Sequence, residues 1–126
     1  MALIWLMIQG YFILPDNKVT LLFFRIGKIP FELCPTSNVI NRTVESYETH
    51  HFGELFKRNH PLCICTDDKG IFSTTLTDEY LHLAKAFDLT KTDLFKISYA
   101  AIDLIFDESV KESLQLKFNT FEGDNK

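Results

Sequence analysis

The sequence predicts an α/β protein with short parallel strands. Two short apolar runs, Ile29 to Cys34 and Leu62 to Cys65, have the length and composition of buried strands. A helical pattern over residues 47–59 separates them, and further helical patterns follow the second run. Short apolar strands joined through a helix are typical of the parallel sheets of α/β proteins.

The chain begins with an almost wholly apolar stretch, MALIWLMIQGYFIL, at residues 1–14. A membrane span needs about 20 such residues. A secretory signal would carry a basic start and a small-residue cleavage site, and neither is visible. We predict a buried strand or helix here, with a targeting or membrane segment as the alternative. The pattern of residues 19–24 indicates a strand, or part of a helix that runs to Ile26 and is stopped by Gly27.

The first predicted strand ends in a run of turn and cap formers, Pro35 to Asn38, which predicts a loop. The helix over residues 47–59 follows, and its apolar face consists of Phe52, Leu55 and Phe56. The second strand, Leu62 to Cys65, ends in Thr66-Asp67-Asp68.

Three helices are predicted for the remainder of the chain. Thr77 is the expected N-cap of the first. Thr90 with Asp93 forms a capping-box pattern before the second, and Ser109 with Glu112 repeats that pattern before the third. The last helix is expected to end at about Phe118.

Composition and charge narrow the class of protein. With 126 residues and 46% hydrophobic content, the chain suits one small domain or a piece of a larger one. A net charge of −4 without basic clusters argues against a nucleic-acid partner. An odd number of cysteines without a signal peptide predicts reduced thiols in a cytoplasmic protein with no membrane partner.

Polar residues follow both predicted strands, at Thr36 to Asn38 and at Thr66 to Asp68. The carboxyl ends of parallel strands are where α/β folds place their functional residues. Asp67 and Asp68 leave the strand in different directions, so one carboxylate can bind a metal cation while the other binds substrate. The alternative, which composition alone favours, is a solvated turn over Asp67 to Gly70.

Other candidate residues have structural explanations as well. Glu32 lies inside an apolar strand, where it needs an ion-pair partner or belongs to a site. His60, Cys63 and Cys65 offer a thiolate-rich zinc set, although buried free cysteines are common in protein cores. His82 lies on a charged helix and is expected at the surface or half-buried.

Two motifs together resemble the adenosine and AMP deaminase family. They are ELCPTSN, Glu32 to Asn38, and TDDKGIF, Thr66 to Phe72. In that family a Glu-x-Cys-Pro-x-Ser-Asn segment ends the seventh strand of a TIM barrel, and Thr-Asp-Asp ends the eighth. The Asp-Asp-Lys-Gly form and the preceding Cys-x-Cys resemble the adenosine deaminase-like branch, whose members are cytosolic N6-methyl-AMP deaminases. The resemblance covers about Ile29 to Phe118.

The resemblance implies a fold, a cofactor and two residue roles. The fold is the C-terminal part of a TIM (β/α)8 barrel, incomplete, with several C-terminal helices. Asp67 corresponds to a zinc ligand, and Asp68 to a residue that hydrogen-bonds the purine base of a nucleotide or nucleoside substrate. In the family, zinc activates a water that attacks the purine at C6 and expels the amino group.

Other parts of the family's site have no match here. The sequence has no His-x-His, no matching third histidine and no match to the proton-shuttling glutamate, so no catalytic residue is assigned. A complete barrel typically needs about 250 residues. We therefore expect a C-terminal fragment or isoform of a zinc-dependent purine deaminase that is inactive on its own.

The expected organisation is a divergent apolar segment at 1–28, a partial deaminase-like domain at 29–120 and a frayed tail at 121–126. The alternative function is a small non-catalytic interaction protein derived from that enzyme. A partner would then cover the exposed barrel edge. An unrelated α/β binding domain is a third possibility.

Overall fold

A computed structural model of the chain describes residues 28–124. The predictions made for residues 1–27, and for the end of the tail at 125–126, lie outside this range. Within it the chain forms two strands and six helices. In chain order these are β1 (Phe31–Leu33), α1 (Pro35–Ile40), α2 (Phe52–Lys57), β2 (Leu62–Ile64), α3 (Lys69–Phe72), α4 (Leu76–Phe87), α5 (Lys91–Ile102) and α6 (Glu108–Asp124).

The two strands pair in parallel, as the sequence predicts. Glu32 is the register partner of Cys63. Phe31 is paired with Leu62, and Leu33 with Ile64. Because side chains alternate along a strand, the sheet has one apolar face and one mixed face. The apolar face carries Phe31, Leu33, Leu62 and Ile64, all buried.

The core lies between that apolar face and the helices. Phe52 of α2, Leu83 of α4 and Ile97 of α5 are buried against the strands. Phe52 also packs its ring against Phe56 and Phe87, with ring centroids 5.4 Å and 5.2 Å away. A buried aromatic or aliphatic side chain of this size contributes about 1.5–3 kcal/mol. This packing holds the strands in register and so positions the residues at their ends.

The prediction of a loop after β1 is wrong, because the chain forms helix α1 there. Pro35 occupies the first helical turn, where its missing N–H costs nothing and its fixed φ favours the helix. The N–H of Asn38 bonds to the carbonyl of Cys34 at 2.9 Å. Turn-forming residues therefore start a helix here, and Thr36, Ser37 and Asn38 are buried within it.

Helix α2 is shorter than the predicted helix over residues 47–59. Before it, the hydroxyl of Thr49 accepts from the N–H of Ser46 at 3.1 Å and donates to the Ser46 carbonyl at 3.2 Å. Such local side-chain bonds compete with helical hydrogen bonding. The chain therefore makes turns up to His50 and becomes helical only at Phe52.

The N-cap of helix α4 lies two residues before the predicted one. Thr75, rather than Thr77, caps it, and the side chains and N–H groups of Thr75 and Asp78 bond reciprocally at 3.2 Å and 3.0 Å. The predicted box of Thr90 and Asp93 before α5 is confirmed.

Helix α6 also begins differently from the prediction. Asp107 Oδ1 accepts from the N–H groups of Ser109 and Val110, so the predicted box of Ser109 with Glu112 is wrong. The helix continues to Asp124, beyond the predicted end at Phe118. No helix in the described part of the chain combines the length and the apolar character that a membrane crossing requires.

Candidate functional site

The polar residues that follow the two strands meet at one edge of the sheet. Helix α1 begins directly after β1, and Thr66 to Asp68 follow β2. The N–H of Cys65 bonds to the carbonyl of Leu33 at 2.8 Å, so the strand ends stay aligned. The sequence-predicted site residues are therefore brought together by the parallel pairing.

Asp67 is held at this edge by a side chain from the other strand end. Its Oδ2 accepts a hydrogen bond from the Ser37 hydroxyl at 2.8 Å, and Asn41 Nδ2 donates to the Ser37 oxygen at 3.2 Å. Asp67 is half-buried and has a φ of 54°, in the left-handed region. Asp and Asn tolerate that region better than most residues. The backbone turns sharply at Asp67, and the carboxylate points back toward α1.

Asp68 is exposed and caps helix α3. Its Oδ1 accepts from the N–H of Ile71 at 2.9 Å. The segment from Asp67 to Gly70 is therefore not a simple solvated turn, because each carboxylate accepts a hydrogen bond from a different partner. The two adjacent carboxylates thus have separate hydrogen-bond partners within the chain, Ser37 and Ile71.

Glu79 of α4 is a buried carboxylate that neither of the two sequence motifs includes. It accepts from the N–H of Thr36 at 2.9 Å and from the hydroxyl of Thr74 at 2.6 Å, and its side chain has no exposed surface. Helix α1 has no side-chain cap of its own at Cys34. Glu79 supplies the missing acceptor and so connects the end of β1 with the start of α4. Its spacing of four residues from buried Leu83 was the one available sequence signal.

His50 forms a hydrogen bond with Asn38, the last residue of the ELCPTSN motif. Its Nδ1 accepts from the N–H of Phe52 at 3.0 Å, so its Nε2 carries the proton and donates to Asn38 Oδ1 at 3.0 Å. Burial, with the neighbouring His51, lowers the pKa of His50 to about 3. The imidazole is therefore neutral at physiological pH and acts as a structural hydrogen-bonding group.

The mixed face of the sheet carries a cluster of thiols and one carboxylate. The side-chain donor atoms of Glu32, Cys63 and Cys65 all lie within 4.8 Å of one another. The sequence-predicted set of His60, Cys63 and Cys65 is wrong, because His60 Nε2 bonds to the carbonyl of Ile29 at 2.8 Å. Glu32, rather than His60, lies beside the sulfurs of Cys63 and Cys65.

These groups influence one another's pKa values. Burial raises the pKa of Glu32, and the nearby Cys65 sulfur adds to the effect. Side-chain hydrogen bonding of Cys65 with Cys34 and Cys63 lowers the pKa of Cys65 and raises the pKa of the other two thiols. Glu32 therefore belongs to a cluster of acidic groups.

A zinc ion at Asp67 would have few ligands within the part of the chain that the structure describes. Between residues 28 and 124, the one cluster of three or more metal-ligating side chains is that of Glu32, Cys63 and Cys65, and it does not include Asp67. Catalytic zinc sites use three protein ligands. The described residues alone therefore do not fit a complete metal centre at Asp67.

Comparison with known proteins identifies the family. The family model for adenosine deaminase matches residues 9–118. The chain belongs to the adenosine deaminase family. The human N6-methyl-AMP deaminase is 47% identical over 98 residues, which cover 77% of this chain and 28% of the human protein.

Solved structures agree with this assignment. The apo structure of the N6-methyl-AMP deaminase from Arabidopsis thaliana superposes with a TM-score of 0.79 at 36% identity, over 82% of this chain and 31% of that one. An Arabidopsis relative crystallised with IMP gives 0.82 at 35% identity, over 86% and 32%. The family's TIM-barrel fold, of which this chain forms a part, is thus confirmed. The chain spans less than a third of the length of these relatives.

Proposed function

We propose that this chain provides the seventh- and eighth-strand edge of a zinc-dependent purine deaminase of the N6-methyl-AMP type. In this proposal Asp67 is a zinc ligand and Asp68 hydrogen-bonds the purine base. The observation that carries it is the hydrogen bond from Ser37 to Asp67, because it joins the two family motifs at one edge of the sheet.

The geometry suits these roles. A carboxylate must be ionised and correctly aimed to bind a metal ion, and second-sphere hydrogen bonds provide the aim. Ser37 supplies such a bond to Asp67, and Asn41 in turn donates to the Ser37 oxygen. Asp68 is exposed and accepts a hydrogen bond at Oδ1, so it presents a carboxylate acceptor at the surface of the site. When bound, zinc supplies an activated water for the hydrolytic removal of the purine's amino substituent.

We further propose a purine nucleotide as substrate and the cytoplasm as location. Solved relatives carry IMP or GMP, and the human relative is an N6-methyl-AMP deaminase. The three cysteines are free thiols, which suits a reducing compartment. The chain by itself should not turn over substrate, because Asp67 alone cannot hold a catalytic zinc ion.

A chimeric enzyme tests the residue roles. Residues 29–118 of this chain would replace the matching segment of the human N6-methyl-AMP deaminase, and release of methylamine from N6-methyl-AMP would be measured. We expect an active chimera that contains stoichiometric zinc. Asp67→Asn should abolish turnover and remove the zinc. Asp68→Asn should keep the zinc and lower kcat/KM by at least about tenfold, the loss that follows from about 1.4 kcal/mol of binding.

Asp88→Asn is the matched control. Asp88 is exposed and has a φ of 52°, close to the 54° of Asp67, so the two substitutions place the same stress on the backbone. We expect full activity in that variant. Zinc and turnover that persist in the Asp67→Asn chimera would overturn the ligand assignment.

An interaction role is the second candidate, and the C-terminal part of the described chain favours it. Large apolar side chains are exposed there, namely Phe106, Val110, Leu116 and Phe121. The apparent mass of the endogenous protein, detected with an antibody to α6, separates the two candidates. A band well above 14.6 kDa favours the deaminase, whereas a single band at 14.6 kDa favours an interaction protein.

A further inference from the structure

The mixed face of the sheet positions three metal-ligating side chains by backbone hydrogen bonding. Glu32 on β1 is the register partner of Cys63 on β2. Cys65 lies two residues after Cys63 and so points to the same side. Its N–H bonds to the Leu33 carbonyl at 2.8 Å, which extends the pairing beyond the strand itself. The three donors are therefore placed by paired backbone rather than by a free loop.

The spacing of the two sulfurs matches a tetrahedral ion. Cys63 Sγ and Cys65 Sγ are 3.8 Å apart. Two thiolates bound to one tetrahedral zinc ion at about 2.3 Å each have their sulfurs about 3.8 Å apart. A carboxylate oxygen of Glu32 lies within 4.8 Å of both sulfurs, so all three donors surround one position.

The chemistry of the donors supports the same conclusion. Glu32, Cys63 and Cys65 are half-buried and offer one carboxylate and two sulfur donors, with no cationic group among them. These are donor types that Zn²⁺ binds in proteins.

We propose that Glu32, Cys63 and Cys65 form a metal site for Zn²⁺, with a water in the fourth position. The thiolate donors select thiophilic ions over Mg²⁺ or Ca²⁺. This site is separate from Asp67, which is not a member of the cluster. It does not depend on the deaminase proposal.

Cobalt is the probe of choice, because thiolate ligation gives Co²⁺ an ultraviolet charge-transfer band and a tetrahedral site gives it strong visible absorption. The reduced 126-residue chain would be titrated with Co²⁺ and then with Zn²⁺. We expect one equivalent of Co²⁺ to produce both features and Zn²⁺ to displace it. Absence of the thiolate band, or binding only at millimolar cobalt, would overturn the proposal.

Matched variants test the ligand set. Cys63→Ser and Glu32→Gln should each weaken Zn²⁺ binding by at least about tenfold, since even outer-sphere substitutions cost that much. Glu54→Gln, at an exposed glutamate of α2, controls for loss of a carboxylate. Asp67→Asn should leave the cobalt spectrum unchanged. A spectrum that is lost in Asp67→Asn, or kept in Cys63→Ser, would contradict the assignment.

X-ray absorption on the zinc-loaded unmodified chain identifies the atoms bound to zinc without any substitution. We expect two sulfurs at about 2.3 Å and a lighter shell at about 2.0 Å. A shell of nitrogen and oxygen alone would exclude the site.

Discussion

The hydroxyl of Ser37 donates a 2.8 Å hydrogen bond to Asp67 across the carboxyl ends of two parallel strands. The two residues are 30 positions apart in the chain. Each belongs to a different one of the two motifs that mark the family, so this bond is the point at which the motifs become one site.

Ser37→Ala removes that bond. Half-buried Asp67 loses a donor, and we expect the free energy of unfolding to fall by about 1 kcal/mol. In the chimeric enzyme the same substitution should weaken zinc binding by about 10–100-fold, as loss of a second-sphere partner does. Urea unfolding of the chain and zinc competition in the chimera measure the two effects. Ser113→Ala on exposed α6 is the control, and equal effects from both substitutions would contradict the assigned role.

Glu79 should be the most sensitive carboxylate among the described residues. Glu79→Leu keeps the side-chain size but leaves the N–H of Thr36 and the hydroxyl of Thr74 without their acceptor, at a cost of about 3 kcal/mol. Glu79→Gln keeps one acceptor oxygen and should cost about 1 kcal/mol. Denaturant midpoints of both variants check this order. Glu112→Gln, at an exposed site, should change little, and a neutral Glu79→Leu would contradict the bridging role.

His50 predicts a pH dependence of stability. Its pKa falls from an ordinary value of 6.5 to about 3 in the fold, so the folded state holds it neutral. The unfolded chain takes up a proton below about pH 6.5 while the folded chain does not. The contribution of His50 is therefore complete above pH 6.5 and is lost as the pH falls toward 3.

Unfolding free energies measured between pH 4 and pH 7.5 test this expectation. In His50→Gln the decline on acidification should be shallower than in the unmodified chain, because the variant has no imidazole to protonate. His82→Gln, at the exposed histidine of α4 that stacks on Tyr47, keeps His50 in place and should retain the steep decline. An unchanged slope in His50→Gln would show that other groups cause the acid sensitivity.

The capping box before α5 can be tested within one helix. Thr90→Ala removes the acceptor of the Asp93 N–H and should cost about 1 kcal/mol. Thr92→Ala, two residues later and exposed, should be neutral or stabilise by a few tenths of a kcal/mol, because alanine favours the helix interior. Thermal unfolding of the pair measures the difference. Equal losses from both substitutions would show that the box contributes nothing specific.

Local sequence signals predicted those elements whose cause is local. The strands follow from short apolar runs, and the box of Thr90 and Asp93 follows from residues three apart. Where two local signals competed, the prediction failed. Pro35 to Asn38 contains loop formers that also start helices, and a buried acceptor from Glu79 favoured the helix.

The sequence likewise predicts one part of the candidate site, the positions of its residues, but not the other part, their hydrogen-bond partners. That Asp67 and Asp68 end a strand is visible in the sequence, and so is the family motif that contains them. The partners of these residues are not visible there. Asp68 bonds to the nearby Ile71 N–H, whereas Asp67 bonds to a residue of another strand end.

The sequence by itself determined the parallel α/β arrangement, the family and the positions of both strand-end motifs, because periodicity and motif spacing are properties of neighbouring residues. The tertiary structure alone decided which side chains meet. Strand register placed Glu32, rather than His60, beside Cys63 and Cys65, and helix packing buried Glu79 beneath α1. Such contacts join residues distant in the chain, and they form only when the packed core brings those residues to the same place.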